Sequence, residues 1–243
     1  PQINGGIIPA YSVAAASGQT DGLNEIPTTE DLAETVETRQ TDSIKDLALQ
    51  LNYDPVKIFE YVRNNINFEP YYGSRKGAQE TLLEKGGNDF DQASLLISLF
   101  RASGYPARYI YGTIEVPEPR AMGLTGTNSP GDAVRVLSSA GIPVISVVGG
   151  GEISAVRLEH AWVEVYLPYE NYRGIPSGTG EETWVPLDPS FKQYTLIDGI
   201  NLEDIAGING EELVDKLITG SNIDSQNGTF TDMDYSFLWD QMD

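Results

Sequence analysis

The chain has 243 residues, of which 40% are hydrophobic, so it is long enough to bury one sizeable core. Its 36 acidic residues against 15 basic ones give a formal net charge of −21, which argues against binding to nucleic acid or to an anionic membrane surface. It contains no cysteine, which excludes disulfides and thiolate metal sites, and no window approaches the ~18 consecutive apolar residues of a membrane-spanning helix.

The first part of the chain is predicted to be an arm followed by a helix. Residues 1–27 are rich in Gly, Ser, Ala and Pro, and residues 28–50 are polar or charged at most positions, which favours a largely solvated helix. Asp54 then supplies an N-cap for a helix with an apolar face, with proline at its first position. We therefore place an N-terminal region at 1–53 and begin the main domain at residue 54.

The most informative stretch predicts a buried central helix that leads into a strand. Asp89 and Gln92 have the spacing of a capping box, so the helix is expected to begin there. From 93 to 102 apolar residues cover most of the helix circumference, and Gly104 then favours a left-handed helix end. Residues 107–111 are aromatic or β-branched at most positions, which is typical of a strand.

Residues 116–158 are interpreted as an insertion that could overhang a cleft next to the central helix. Within it we predict a loop at 117–128 and a helix that begins at Ser129. The hydrophobic patterns predict strands at 142–148, 152–158, 160–167 and 183–187, with a polar loop at 168–182. Residues 193–243 alternate short apolar pieces with Asn-Gly turns and are predicted to form a helical extension.

Three segments together resemble the transglutaminase-like superfamily, which has a papain-like thiol site. Residues 101–108 read Arg-Ala-Ser-Gly-Tyr-Pro-Ala-Arg, the signature with which the family's central helix ends. Residues 159–165 resemble its histidine strand, and 184–189 its aspartate strand. The resemblance implies an α+β, papain-like core over about 54–192, in which a central helix packs on an antiparallel sheet.

The resemblance also assigns positions to a catalytic triad. It places the nucleophile four residues before Ala93, where this chain has Asp89 in place of cysteine. His160, the only histidine, falls on the histidine position, and Asp188 falls on the position of the carboxylate that orients it. A carboxylate held by a helix N-terminus stays ionised and is a poor acyl-transfer nucleophile. We therefore expect Asp89 to form an ion pair with protonated His160 in a catalytically silent cleft.

Two active arrangements of the same residues remain open. Asp89, His160 and Asp188 have the side chains that could hold a divalent metal and activate water. Alternatively, the His160–Asp188 pair could act as general base for water while Asp89 or Asp91 acts as acid, in a non-thiol hydrolase of glycosidic or ester bonds. An ion bound at Asp89 would favour the first arrangement, and two close carboxylates without an ion would favour the second.

The leading interpretation is a non-catalytic or ligand-binding module. A papain-like cleft without its nucleophile can hold a peptide or protein without cutting it, and Tyr72, Trp162 and Trp184 are the predicted ligand-binding residues. This interpretation needs no cofactor and no metal. Because the chain starts without Met and ends in an apparent helix, we expect further domains in a larger protein. The resemblance favours an exported or cell-surface protein.

Overall fold

The computed structural model describes residues 25–168, 182–192, 210–232 and 236. The predicted arm is outside this range up to residue 24, as is most of the predicted polar loop, 169–181. The helices are α1 Asp42–Gln50, α2 Pro55–Asn65, α3 Gly77–Glu84, α4 Asp89–Ala102, α5 Glu118–Thr125, α6 Pro130–Ser139 and α7 Gly210–Thr219. The strands are β1 Asn67–Phe68, β2 Gly86–Gly87, β3 Ala107–Pro117, β4 Val144–Gly149, β5 Glu152–Pro168, β6 Glu182–Leu187, β7 Asn222–Asp224 and β8 Thr229–Thr231.

Helix α4 is the buried central helix that the sequence predicts, and almost all of its side chains are buried. Its start differs by one residue from the predicted capping box. The N-cap is Asn88, whose side-chain oxygen accepts the Asp91 N–H at 3.0 Å, and Asp89 is the first helical residue. Gln92 does not reach back to the cap, because its amide donates to the Gly87 carbonyl at 2.8 Å. Asp89 is thereby free to bond outside its own helix.

The main sheet is organised around β5, a single strand of 17 residues, where the sequence predicts two shorter ones. Strand β3 pairs antiparallel with residues 155–165 of β5 along one edge. Strand β4 pairs with 152–158 and β6 with 163–168, and because β3 occupies the first edge, both lie on the opposite one. That opposite edge therefore has a gap in its strand pairing at residues 159–162.

Two hydrophobic clusters cover the two faces of this sheet. On one face α4 packs against β5, and α1, α2 and α3 pack against α4, in one cluster that includes Val163 and Val165. On the other face α5 and α6 pack against Val156, Leu158 and Trp162. This mixed arrangement, with a central helix on an antiparallel sheet, confirms the α+β fold class.

The structure differs from the sequence prediction at α1 and at α5. Helix α1 lies in the region assigned to the arm and helix, yet its Ile44, Leu47 and Ala48 are buried in the same cluster as α4. Helix α5 replaces the predicted loop at 117–128. Pro119 is compatible with this helix because it lies in the first turn, where the backbone N–H has no partner within the helix. Gly126, with φ of 68°, then ends α5 in the left-handed conformation.

The chain divides into two compact units, Pro1–Tyr194 and Thr195–Asp243. The second contains α7 and the hairpin of β7 and β8, so its described part is not purely helical as predicted. Gly228, in the predicted Asn-Gly turn, has φ of 63° and lies between the two strands. None of the helices in the described residues is long and apolar enough to cross a bilayer.

Candidate functional site

Asp89 is presented by a tight entry into α4. Strand β2 pairs in parallel with β1 immediately before the helix begins. A Cβ atom on Gly87 would lie 3.0 Å from Asp91 Cβ and 3.2 Å from Thr81 Cγ2, so this position has no room for a side chain. The glycine thus lets the chain pass close to Thr81 of α3 and to Asp91 just before α4 begins.

The structure brings Asp89, His160 and Asp188 together around one imidazole ring. Asp89 Oδ2 lies 3.3 Å from His160 Nδ1, and Asp188 Oδ2 lies 2.8 Å from His160 Nε2. The two carboxylates therefore face opposite nitrogens of the ring. An imidazolium donates from both nitrogens, so this arrangement is complementary to the protonated histidine.

Each carboxylate is also held by a backbone amide. Asp89 Oδ2 accepts the N–H of Ala161 at 2.7 Å, and Asp188 Oδ1 accepts the N–H of Ser190 at 2.9 Å. Ala161 lies in the gap between β4 and β6, where no neighbouring strand accepts its N–H. The Asp89 carboxylate therefore supplies the acceptor that a strand would otherwise provide.

The electrostatics of the cluster favour the ionised forms. Burial alone would lower the pKa of His160, but Asp188 and then Asp89 outweigh this effect and raise it to about 10. Burial would raise the pKa of Asp188, but the charge and hydrogen bond of His160 hold it below its ordinary value. At neutral pH the ring is accordingly an imidazolium between two carboxylates.

The cluster is closed to solvent. Asp89 is 7% exposed, His160 1% and Asp188 8%. Two aromatic rings flank the imidazole: Trp162 stacks at a centroid distance of 6.5 Å, and Phe191 lies at 5.3 Å. A substrate has almost no direct access to the ring in this conformation.

The geometry does not suit the divalent-metal arrangement. Because Asp89 and Asp188 face opposite ring nitrogens, one ion cannot bind both carboxylates together with His160. In the part of the chain that the structure describes, no group of three or more His, Asp or Glu side chains could hold a metal ion. The metal alternative is therefore corrected to a hydrogen-bonded ion cluster.

Asp91 does not fit the role of a catalytic acid. Its side chain is fully buried and accepts the Tyr71 hydroxyl at 2.5 Å and the Ser74 hydroxyl at 3.1 Å. It also accepts the backbone N–H groups of residues 75, 76 and 77. Its oxygens are therefore engaged by donors inside the protein, and its burial keeps them out of reach of a substrate. Asp91 instead fixes the loop 71–77 against the start of α4.

The three predicted ligand-binding aromatics lie in different environments. Tyr72 is 43% exposed, whereas Trp162 is 8% exposed and packs against His160. Trp184 is 2% exposed; its indole N–H donates to the Glu25 carbonyl at 2.7 Å, and the Arg108 guanidinium lies 4.1 Å from its ring. The groove role predicted for Trp184 is therefore corrected: it is a buried packing residue.

A half-buried lysine next to the cluster was not among the predicted site residues. Lys192 Nζ donates to Gln92 Oε1 at 2.7 Å and to the Pro189 carbonyl. Burial lowers the pKa of Lys192 to about 7, although Asp188 opposes this effect. The only signal in the sequence is a lysine four residues after Asp188, and the contact with α4, 100 residues away, is not visible there.

The comparison with known protein families gives a match over most of the main domain. The family model described as transglutaminase-like superfamily matches residues 38–189, more than half of the chain. No curated protein matches.

Similar solved structures include a protein assigned as a cysteine protease from Cytophaga hutchinsonii, with 19% identity, a TM-score of 0.39, and coverage of 67% of this chain and 41% of that one. The periplasmic domain of TgpA from Pseudomonas aeruginosa has 16% identity and a TM-score of 0.39, with coverage of 67% of this chain and 46% of that one. This chain spans less than half of each of these structures. By its family match and its fold, the chain belongs to the transglutaminase-like superfamily, although it has no cysteine.

Proposed function

We propose that this chain is a non-catalytic transglutaminase-like domain that binds a peptide or protein ligand as part of a larger protein. One observation carries the proposal: Asp89, at the position of the family's nucleophile, uses one oxygen to accept the Ala161 N–H and to face His160. A side chain committed to the sheet and to an ion pair is a structural element. The cluster of Asp89, His160 and Asp188 is accordingly a degenerate triad with a stabilising role.

The chemistry of acyl transfer supports this proposal. An ionised carboxylate that attacked a peptide amide would form a tetrahedral intermediate, from which the carboxylate leaves more readily than the amine. The intermediate would therefore revert to substrate. In addition, a histidine that is already protonated at neutral pH cannot remove a proton from an attacking group.

The alternative is a hydrolase that uses the His160–Asp188 pair to activate water. The 2.8 Å contact between these two side chains favours this alternative, because a carboxylate at one ring nitrogen increases the basicity of the other. The other nitrogen, however, faces Asp89, and the ring is 1% exposed, so water would have to displace a carboxylate to reach it. We rank this alternative second.

Turnover assays separate the two functions. The wild type and His160→Gln are incubated with carbobenzoxy-Gln-Gly and hydroxylamine for acyl transfer, and with p-nitrophenyl esters and glycosides for hydrolysis. We expect no turnover above buffer in either protein. Turnover by the wild type that disappears in His160→Gln would overturn the non-catalytic assignment.

The binding part of the proposal needs its own test. A display library of random-sequence peptides is selected on the wild-type domain and counter-selected on Tyr72→Ala, because Tyr72 is the exposed member of the predicted ligand-binding residues. We expect enriched peptides whose affinity falls about tenfold or more in Tyr72→Ala without a change in unfolding midpoint. Absence of enrichment, or equal binding to both proteins, would contradict the proposed function.

A further inference from the structure

Two tyrosines and a glutamate form an exposed cluster near the start of α4. The Tyr72 hydroxyl donates to Glu159 Oε2 at 2.7 Å, and the Tyr111 hydroxyl donates to the same oxygen. The two hydroxyls lie 3.3 Å apart. Tyr72 is 43% exposed and Tyr111 47%, so both rings present large apolar surfaces to solvent.

Four separate elements build this cluster. Tyr72 comes from the loop after β1, Tyr111 from β3 and Glu159 from β5, and Phe90 of α4 packs against Tyr111 with a centroid distance of 5.5 Å. The loop with Tyr72 is fixed from below by Asp91, which accepts the hydroxyl of the adjacent Tyr71. The rings are therefore held in place before any ligand arrives, which reduces the entropy cost of binding.

The cluster has an anionic group with one acceptor oxygen that no described residue uses. Hydrogen bonds from Tyr111 and Tyr72 lower the pKa of Glu159, so its carboxylate is ionised at neutral pH. Both tyrosines use Oε2, and no described residue donates to Oε1. Arg157, two positions along the same strand and on the same face, is paired with Glu115 at 2.8 Å.

Cations over aromatic rings already occur elsewhere on this protein. Among the described residues three rings hold one: Tyr71 under Arg75, Tyr61 under Lys85 and Trp184 under Arg108. Within the described ranges, no Lys or Arg lies over Tyr72 or Tyr111. Two exposed rings beside an ionised carboxylate are thus available to a cation from outside the chain.

We propose that Tyr72, Tyr111 and Glu159 form a binding site for the cationic side chain of a lysine or arginine in a peptide ligand. This inference rests on the proposed binding function and names the chemistry of its ligand. The ammonium or guanidinium group contacts Glu159 Oε1, and the two rings cover the methylene groups and the positive charge. The net charge of −21 attracts such a ligand over a longer distance.

The test uses two pentapeptides that differ only in charge: acetyl-Gly-Gly-Lys-Gly-Gly-amide and the same peptide with norleucine in place of lysine. Protein with isotope-labelled tyrosine is titrated with each at about 0.15 M salt, where long-range attraction is largely screened. We expect saturable shifts of the Tyr72 and Tyr111 ring signals with the lysine peptide only. Glu159→Gln is expected to weaken this binding by roughly fivefold to tenfold, the effect of one partly exposed ion pair.

Glu152→Gln is the matched control, because it makes the same change in net charge at an exposed residue seven positions along β5, about 23 Å away. It should leave the affinity unchanged. Equal weakening in Glu152→Gln and Glu159→Gln would overturn the inference, because it would show diffuse electrostatic attraction. Equal binding of both peptides would also overturn it, because it would show apolar binding.

The peptides selected with the wild type distinguish this inference from the proposed function. If they bind Glu159→Gln as tightly as the wild type, the cation site is wrong while the peptide-binding function stands. If no peptide binds at all, both fall.

Discussion

The Asp89 carboxylate accepts the backbone N–H of Ala161 at 2.7 Å, across 72 residues of sequence. This bond closes the gap in the pairing of β5 between β4 and β6, and the same oxygen lies 3.3 Å from the imidazole of His160. Asp89, the residue predicted to stand at the family's nucleophile position, thus connects the helix, the sheet and the histidine. Its substitution should therefore change stability more than any activity.

Asp89→Ala is expected to destabilise the fold strongly. It removes the acceptor of the Ala161 N–H and leaves the buried imidazolium with one carboxylate, and breaking a buried ion pair from one side costs about 3–5 kcal/mol. Urea unfolding of the wild type and the variant measures the difference. Asp89→Asn keeps an oxygen acceptor for Ala161 and should lose only about 1–3 kcal/mol. Equal stability of all three proteins would contradict the structural role.

The raised pKa of His160 predicts a specific pH dependence of stability. Because its folded pKa, about 10, lies above the unfolded value of about 6.5, its contribution is fully present below pH ~6.5 and is lost as pH rises towards ~10. Lys192 has a folded pKa of about 7, below its unfolded value. Its effect therefore increases the free energy of unfolding as pH rises above ~7, opposite to the effect of His160. The measurement is therefore the difference in unfolding free energy between the wild type and His160→Gln, which should shrink from pH ~6.5 to ~10.

The single histidine allows the same pKa to be observed directly. Its ring carbon signals in NMR should not titrate between pH ~5.5 and ~8, the range in which an ordinary histidine loses its proton. In Asp89→Asn the pKa should fall, because one of the two carboxylates that raise it is gone. A midpoint near 6.5 in the wild type would show that the ring is not an imidazolium at neutral pH.

The sequence was most informative where one signal dominates. The apolar run of α4 and the Arg101–Arg108 signature predicted the central helix and its exit, and the structure explains two signature residues. The Arg101 guanidinium is buried and donates to the Ala107 carbonyl, and Gly104 has φ of 83°. Both are requirements of the turn that joins the helix to β3.

The predictions were wrong where the deciding contacts join residues that are far apart in the sequence. Asn88 and Asp89 are both good N-caps, and the choice depends on Ala161 and His160, which draw Asp89 towards the sheet. The burial of Trp184 likewise depends on a contact with Glu25, 159 residues away. Helix α5 was missed because its prolines and glycines suggest a loop, although Pro119 is acceptable in a first turn.

Asp89→Cys should produce a thiol with a lowered pKa. The new cysteine would lie at the first residue of α4, beside protonated His160, and both the helix N-terminus and a neighbouring cation stabilise a thiolate. Because the chain has no other cysteine, thiolate ultraviolet absorbance reports this side chain alone. We expect a pKa well below the ordinary ~8.5, and a shift back towards it in the double variant with His160→Gln. An ordinary pKa in the single variant would mean that position 89 does not face the imidazole.

Asp91→Ala is expected to release the loop 71–77 that Asp91 holds. The variant removes the acceptor of two hydroxyls and of the N–H groups of residues 75, 76 and 77, so we expect a loss of about 3 kcal/mol or more. Hydrogen exchange of these three amides should accelerate, since their common acceptor is gone. Peptide binding should weaken too, because Tyr72 lies on the same loop.

Asp132→Ala is a matched control for that variant, since Asp132 occupies the same third position of α6 that Asp91 occupies in α4. Asp132 bonds only near its own helix start, to Ser129 and Arg135, and its side chain is 46% exposed. Its loss should therefore cost about 1 kcal/mol or less and leave the exchange of residues 75–77 unchanged. If both variants had the same small effect, Asp91 would be an ordinary first-turn acid, and the fixed position of Tyr72 would need another cause.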